Sequence, residues 1–187
     1  GMVGLLGNIN QSTTIEFKGA GDFIVTLGAL NGCLGGSEYL RTIHGKIQGP
    51  IPHLNLELEM GIQELCLEAI KKGIIKSAHD LSDGGLAVNI SESIVHSKQG
   101  LGARLDVVRK LQNNELLFGE CQSVIVVTLE ESALYELILL AQKLDMHTQT
   151  IGRVTDTNSL VINDQINISR IKMENAYFNS LEKIMTQ

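Results

Sequence analysis

The stretch with the most chemical potential is Ser77-Ala78-His79-Asp80-Leu81-Ser82-Asp83-Gly84-Gly85-Leu86, where two aspartates three residues apart lead into paired glycines. An apolar run ends there and a helix-like pattern begins. Three chemistries suit the arrangement. Gly84 and Gly85 permit positive φ and a close approach of a ligand to the backbone. Free N–H groups at a helix start attract an anion such as phosphate. Asp80 and Asp83 offer hard oxygen ligands of the kind Mg²⁺ prefers. The plain alternative is that Ser82 or Asp83 caps the helix and Asp80 braces the turn. His79 could act as an acid or base, the role for which histidine is most often used, but a hydrogen-bonded histidine at a strand end is the commoner arrangement. His44, His53, His96 and His147 lack metal-ligand spacing and receive no role.

Two further stretches share the theme. In Leu34-Gly35-Gly36-Ser37-Glu38-Tyr39-Leu40, Gly35, Gly36 and Ser37 precede an apparent helix start. They suit an anion cradle, and equally a tight turn with Ser37 as the cap. Neither the Walker A spacing with its lysine nor a GxGxxG signature is present. In Leu117-Phe118-Gly119-Glu120-Cys121-Gln122, Glu120 and Gln122 fall on one face if the chain is extended. There they could bind a polar ligand, with Cys121 turned into the core. No local base accompanies Cys121, so it reads as an inert thiol.

Elements must hold these groups in place. Ser12 to Phe17 and Asp22 to Leu27 read as strands, joined in hairpin fashion across Lys18-Gly19-Ala20-Gly21. Leu54 to Lys72 reads as a helix, with Leu58, Ile62, Leu65 and Ala69 as its apolar stripe and Gly73 as its C-terminal glycine. Ile74 to Ala78 is a buried strand, His79 to Gly85 a loop and Leu86 to Lys98 a helix. Leu101 to Val108 is a strand and Asn113 to Phe118 a helical turn. Gln122 to Leu129 is the strongest strand, apolar enough to be covered on both faces. Ser132 to Leu144 is a helix with Ser132 as candidate cap. Thr148 to Val154, Ser159 to Ile162 and Ile166 to Ser169 are short strands, and the tail from Ile171 to Ile184 is a last helix. The fold class expected is α/β (α+β), a mixed sheet with helices packed on it.

The bulk properties bound the rest. A length of 187 residues, 43% hydrophobic and 19% charged, fits one globular domain or one with an appendage. A net charge of -6 argues against a nucleic-acid surface, which needs clustered Lys and Arg, and does not favour an anionic membrane. Lys71–Lys72 and Arg109–Lys110 are the only adjacent basic pairs and read as solvated ends of elements. Three widely spaced cysteines, Cys33, Cys66 and Cys121, form no zinc pattern and suit a reducing, cytoplasmic setting. No apolar run reaches the roughly 18 residues of a membrane span. The apolar opening Gly1-Met2-Val3-Gly4-Leu5-Leu6 hints at a piece of something longer, with Gly1 native or a tag remnant.

Taken in order and separation, Gly35-Gly36-Ser37-Glu38, His79 through Leu86, and Phe118 through Gln122 resemble the final domain of the phosphoribosylformylglycinamidine synthases, over about Met2 to Val154. The resemblance implies a single domain over 1–187, the C-terminal domain of a larger synthase of the aminoimidazole ribonucleotide synthetase-like superfamily. Such a synthase carries two copies of a two-domain unit and uses ATP, Mg²⁺ and glutamine-derived ammonia. It phosphorylates an amide oxygen and displaces it with ammonia. The main nucleotide, metal and catalytic motifs belong to the first-type domains, so neither a catalytic residue nor a metal ligand is assigned here, and the fragment is expected to be inactive alone. The candidates for substrate or phosphate contact are Gly35, Gly36, Ser37, Asp80, Asp83, Gly84, Gly85, Glu120 and Gln122. Glu120-Cys121-Gln122 matches in form a Glu-Ser-Gln triplet that binds substrate in the earlier copy, with cysteine replacing serine. Implied partners are the sister domains and, in a small-type system, a glutaminase subunit and a small bridging subunit. The alternatives are another superfamily member (aminoimidazole ribonucleotide synthetase, selenophosphate synthetase, a hydrogenase-maturation protein) and a non-catalytic binding or oligomerisation module. For the Asp83-Gly84-Gly85 loop, Gly85→Val is expected to lower turnover more than stability.

Overall fold

Seven strands and seven helices follow from these patterns. The computed structural model of the chain describes residues 4–108 and 111–186. The Arg109–Lys110 pair and the first three residues of the apolar opening lie outside them. The order is β1 (Phe23–Leu27), α1 (Glu38–His44), α2 (Leu56–Lys71), β2 (Ser77–Asp80), α3 (Gly85–Val95), β3 (Gly102–Leu105), α4 (Asn113–Phe118), β4 (Ile125–Leu129), α5 (Leu134–Lys143), β5 (Thr148–Thr155), β6 (Ser159–Ile162), β7 (Ile166–Ser169), α6 (Arg170–Phe178) and α7 (Ser180–Met185). The strands make one sheet in the order β2-β4-β1-β5-β3-β6-β7. Every pairing is antiparallel except β3 with β6, so the sheet is mixed.

Side-chain alternation builds a core on each face of the sheet. On one face Ile24, Val126, Ile151, Ala103 and Leu105 pack with Leu86, Ile90 and Ile94 of α3, Leu116 and Leu117 of α4, and Met173 of α6. On the other, Val25, Leu27, Val127 and Leu129 pack with Ile62, Leu65 and Ala69 of α2 and Leu137 and Ala141 of α5. The apolar run in β4 is therefore covered on both sides: Val126 enters the first core and Val127 the second. Each fully buried Leu or Ile contributes about 1.5–3 kcal/mol.

Helix α2 shows how local sequence sets an element. The Asn55 Oδ1 accepts from the Glu57 N–H at 3.0 Å and the Leu58 N–H at 3.1 Å, which satisfies the first turn. At the other end Gly73 takes φ 69; its N–H donates to the Ile70 carbonyl and the Ile74 N–H to the Ala69 carbonyl. This paired closure is the reason a glycine follows the helix. Of the stripe, Ile62, Leu65 and Ala69 are buried, while Leu58, near the open N-terminal end, stays exposed.

Several expectations need correction. Ser12 to Phe17 is not a strand and forms no hairpin with β1; it touches the sheet at one isolated parallel bridge, Thr14 to Ser77. The cause is that β4 and β5 occupy both edges of β1. The segment is tied instead to the β2 side, where the Lys18 Nζ and the Thr13 hydroxyl donate to the Lys76 carbonyl. In the Ile74–Ala78 run only Ser77 and Ala78 belong to a strand, and β2 continues through His79 and Asp80, which were expected in a loop. Ser132 does not cap α5: it sits inside the 3₁₀ turn Glu131–Ala133, and Ala133 holds the cap position. The tail divides at Asn179 into α6 and α7. Among the described residues, no helix is long and apolar enough to cross a membrane.

Candidate functional site

The two glycine loops lie against each other, joined by Glu120. Helix α1 starts after Gly35-Gly36-Ser37. Ser37 is fully buried; its hydroxyl donates to the Leu34 carbonyl at 2.7 Å and accepts from the Leu40 N–H at 3.4 Å. That fulfils the capping alternative for this stretch. Gly35 is required by a close approach: a Cβ there would sit 1.7 Å from the Pro50 carbonyl oxygen.

Helix α3 starts differently. Its cap residue is Gly84, at φ 80, and no side chain caps it. The Ser82 carbonyl, not its hydroxyl, accepts from the Gly85 N–H at 3.1 Å. Asp83 is exposed. The capping expected of Ser82 or Asp83 thus fails, because the left-handed turn at Gly84 and Gly85 re-aims the chain before the helix begins. Gly85 is buried at φ 66, and a Cβ there would meet the Phe118 and Gly119 backbone at 2.7–2.8 Å. Gly85→Val would press on that backbone, so a loss of stability is expected alongside any loss of turnover.

The anion that the two loops attract is supplied by the chain itself. The Glu120 Oε1 accepts from the Glu38 N–H at 2.8 Å and the Gly84 N–H at 2.9 Å. Helix N-termini favour negative charge, and a carboxylate accepting backbone N–H groups makes the stronger, charge-assisted kind of bond. The Glu120 N–H in turn donates to the Cys33 carbonyl at 2.8 Å. Tyr39 stacks on Phe118 beside the junction, with ring centroids 5.1 Å apart. On the rim, Glu38 pairs with Arg41. That bond holds the Glu38 carboxyl below its ordinary range and, with a smaller influence from the Asp83 charge, raises the Arg41 guanidinium above its own.

The remaining candidates stand apart. Asp80 is exposed at the end of β2, and only its carbonyl is engaged, by the Asn89 Nδ2 at 2.8 Å. Gln122 is exposed, at a bend that includes Ser123 at φ 57, and the extended strand begins only at Ile125. Cys121 points into the core, where its Sγ accepts from the Asn31 and Gly32 amides at 3.2 and 3.4 Å. His79 lies 3.3 Å from a Glu92 carboxylate oxygen and 3.4 Å from the Ser93 hydroxyl, a hydrogen-bonded strand-end histidine. Among the described residues no three His, Cys, Asp or Glu side chains cluster as metal ligands. Asp80 and Asp83 are both exposed. The residues not foreseen are Tyr39, Cys33 and Glu38 acting through its backbone. The signal available was a single acid, Glu120, in a chain with two loops rich in free N–H groups.

Helices on both faces of a mixed sheet, with two glycine loops gathered at the chain entering β4, define an α+β domain. Residues 19–165 match the family described as AIR synthase related protein, C-terminal domain, and the chain belongs to that family. It is 48% identical over 130 residues to the phosphoribosylformylglycinamidine synthase subunit PurL of Alkaliphilus metalliredigens, covering 70% of this chain and 17% of that protein. It is 39% identical over 153 residues to the same subunit of Moorella thermoacetica, covering 82% of this chain and 21% of that one. The chain thus spans about a fifth of the length of these relatives. Thermotoga maritima PurL complexed with FGAR superposes with a TM-score of 0.72 at 20% identity, covering 88% of this chain and 30% of that one. The hydrogenase maturation protein HypE of Escherichia coli superposes with a TM-score of 0.60 at 16% identity, covering 84% and 51%. Both structures share the fold.

Proposed function

We propose that this chain serves as the C-terminal domain of a phosphoribosylformylglycinamidine synthase, a ligase of purine biosynthesis. The full enzyme uses ATP and glutamine-derived ammonia to turn the amide of formylglycinamide ribonucleotide into an amidine. The observation that carries this is the 48% identity to the PurL subunit of Alkaliphilus metalliredigens, far above the level at which only a fold is shared. The chain's own part is architectural. Its two loops hold rigid backbone at the sheet end, and Gly35, Gly36, Ser37, Asp83, Gly84 and Gly85 shape the wall of a cleft completed by sister domains. No phosphate contact is assigned to the Glu38 and Gly84 N–H groups, because Glu120 fills them. Asp80 and Gln122, both solvent-facing, remain available to a neighbouring domain.

The nucleotide and Mg²⁺ of the full reaction belong to other parts of the polypeptide. Partner domains have a surface to cover: Ile43, Ile47, Ile51, Leu56 and Met60 are each more than half exposed between α1 and the first turns of α2. A glutaminase subunit and a small bridging subunit complete the proposal, supported by the Thermotoga maritima assembly described as PurLQS.

The test is ammonia-dependent conversion of formylglycinamide ribonucleotide with ATP, measured for the full-length enzyme, for a version ending before this domain, and for this chain alone. Activity is expected only in the first. Turnover by the isolated chain, or an undiminished rate after its removal, would overturn the proposal.

A further inference from the structure

We infer that Glu120 is a latch that makes the two glycine loops open and close as one unit. The inference concerns contacts within this chain and stands whether or not the synthase reading does. One carboxylate oxygen accepts from both loops, at 2.8 Å from the Glu38 N–H and 2.9 Å from the Gly84 N–H. Neither loop can move away without breaking a charge-assisted bond and leaving the carboxylate short of a donor.

The latch is anchored by its neighbours in the chain. Cys121, next in sequence, is buried with its Sγ among backbone amides. Before it, Gly119 donates to the Glu115 carbonyl at 3.0 Å, and a Cβ on Gly119 would lie 2.4 Å from that oxygen and 2.7 Å from the Gly32 Cα. The Glu120 backbone is thereby held between α4 and β4, and its side chain has a fixed origin. The first loop is gripped twice, by the carboxylate at Glu38 and by the Glu120 N–H at Cys33. The second is gripped at Gly84, the first of two consecutive left-handed residues, Gly84 and Gly85. Glu120 acts here as a positioning residue: it fixes the geometry of both loops through their backbone N–H groups.

Amide hydrogen exchange on the intact chain reads this directly, in segments 34–44 and 82–90. Glu120→Ala is expected to speed exchange in both segments, about tenfold or more, the loss of one charge-assisted bond. The β1–β4 ladder should be unchanged. Glu120→Gln keeps an oxygen acceptor and should speed both segments less than the alanine does. A second perturbation comes from one side only: Ser37→Ala weakens the start of α1. It should speed exchange at 82–90 when Glu120 is present and have no effect there in the Glu120→Ala background. A response confined to one segment overturns the latch. So does a rise shared by the β1–β4 ladder, or an equal effect of Ser37→Ala at 82–90 in both backgrounds.

Discussion

Gly85→Ala is the sharpest perturbation, because its effect can be worked from two separate terms and compared with a control. Gly85 adopts φ 66, and holding an L-residue in the left-handed region costs about 1–2 kcal/mol. The new Cβ would lie 2.7 Å from the Phe118 carbonyl carbon and 2.8 Å from both the Phe118 Cα and the Gly119 oxygen. All three are backbone atoms that cannot rotate aside, so overpacking adds about 1–3 kcal/mol. The expected loss is about 2–5 kcal/mol. Gly36 is the control: its φ of 72 is similar, but nothing lies within 4 Å of the Cβ position. Gly36→Ala should cost only the conformational part, about 1–2 kcal/mol. Urea denaturation followed by far-ultraviolet circular dichroism, with the two variants and the parent side by side, measures the difference. If Gly85→Ala loses no more than Gly36→Ala, the contact with Phe118 and Gly119 does not constrain the loop.

Other outcomes follow from the same geometry. Leu65→Ala should cost about 2–5 kcal/mol in the same denaturation experiment, whereas Leu67→Ala, two residues on but 56% exposed, should change stability by less than about 0.5 kcal/mol. Glu120→Ala should lower the urea midpoint and Gln122→Ala should leave it unmoved, since only Glu120 is bonded. Iodoacetamide at pH 8 should modify Cys33 while Cys66 stays protected, because burial pushes the Cys66 thiol up to about 11; mass mapping of the alkylated sites decides this. The Lys76 bond holds the Glu130 carboxyl below its ordinary 4.5, so its contribution is present above that value and is lost as pH falls through the lowered one. Glu130→Gln should flatten the acid limb of a melting-temperature profile, and an unchanged limb would show that the pair is too exposed to matter.

Much of the architecture was legible because its causes are local. The bounds of α4, β6 and β7 match the expected ones, set by short apolar runs between turn residues. Helix α2 was readable from a stripe and its terminal glycine. The double-sided burial of β4 followed from four consecutive apolar residues, Val124 to Val127. What escaped was non-local. Residues 12–17 carry strand-like composition, but pairing depends on which edges are free, and β4 and β5 had taken those of β1. At the site, the types of residue and the anion-seeking character of both loops were readable. The identity of the anion was not, because Glu120 arrives from another part of the sheet. The bend at Gln122 and Ser123 that delays the start of β4 is a local feature hard to foresee, since it puts a non-glycine residue, Ser123, at positive φ.

The strand order has a consequence for how the molecule is made. β1 is an interior strand of the sheet, yet its neighbours β4 and β5 are encoded far downstream. A ribosome adding about 5–20 residues per second needs several seconds to tens of seconds to deliver the roughly one hundred or more that separate them. During that interval both edges of β1 emerge without a strand to pair with, an attractive target for a chaperone that holds nascent chains.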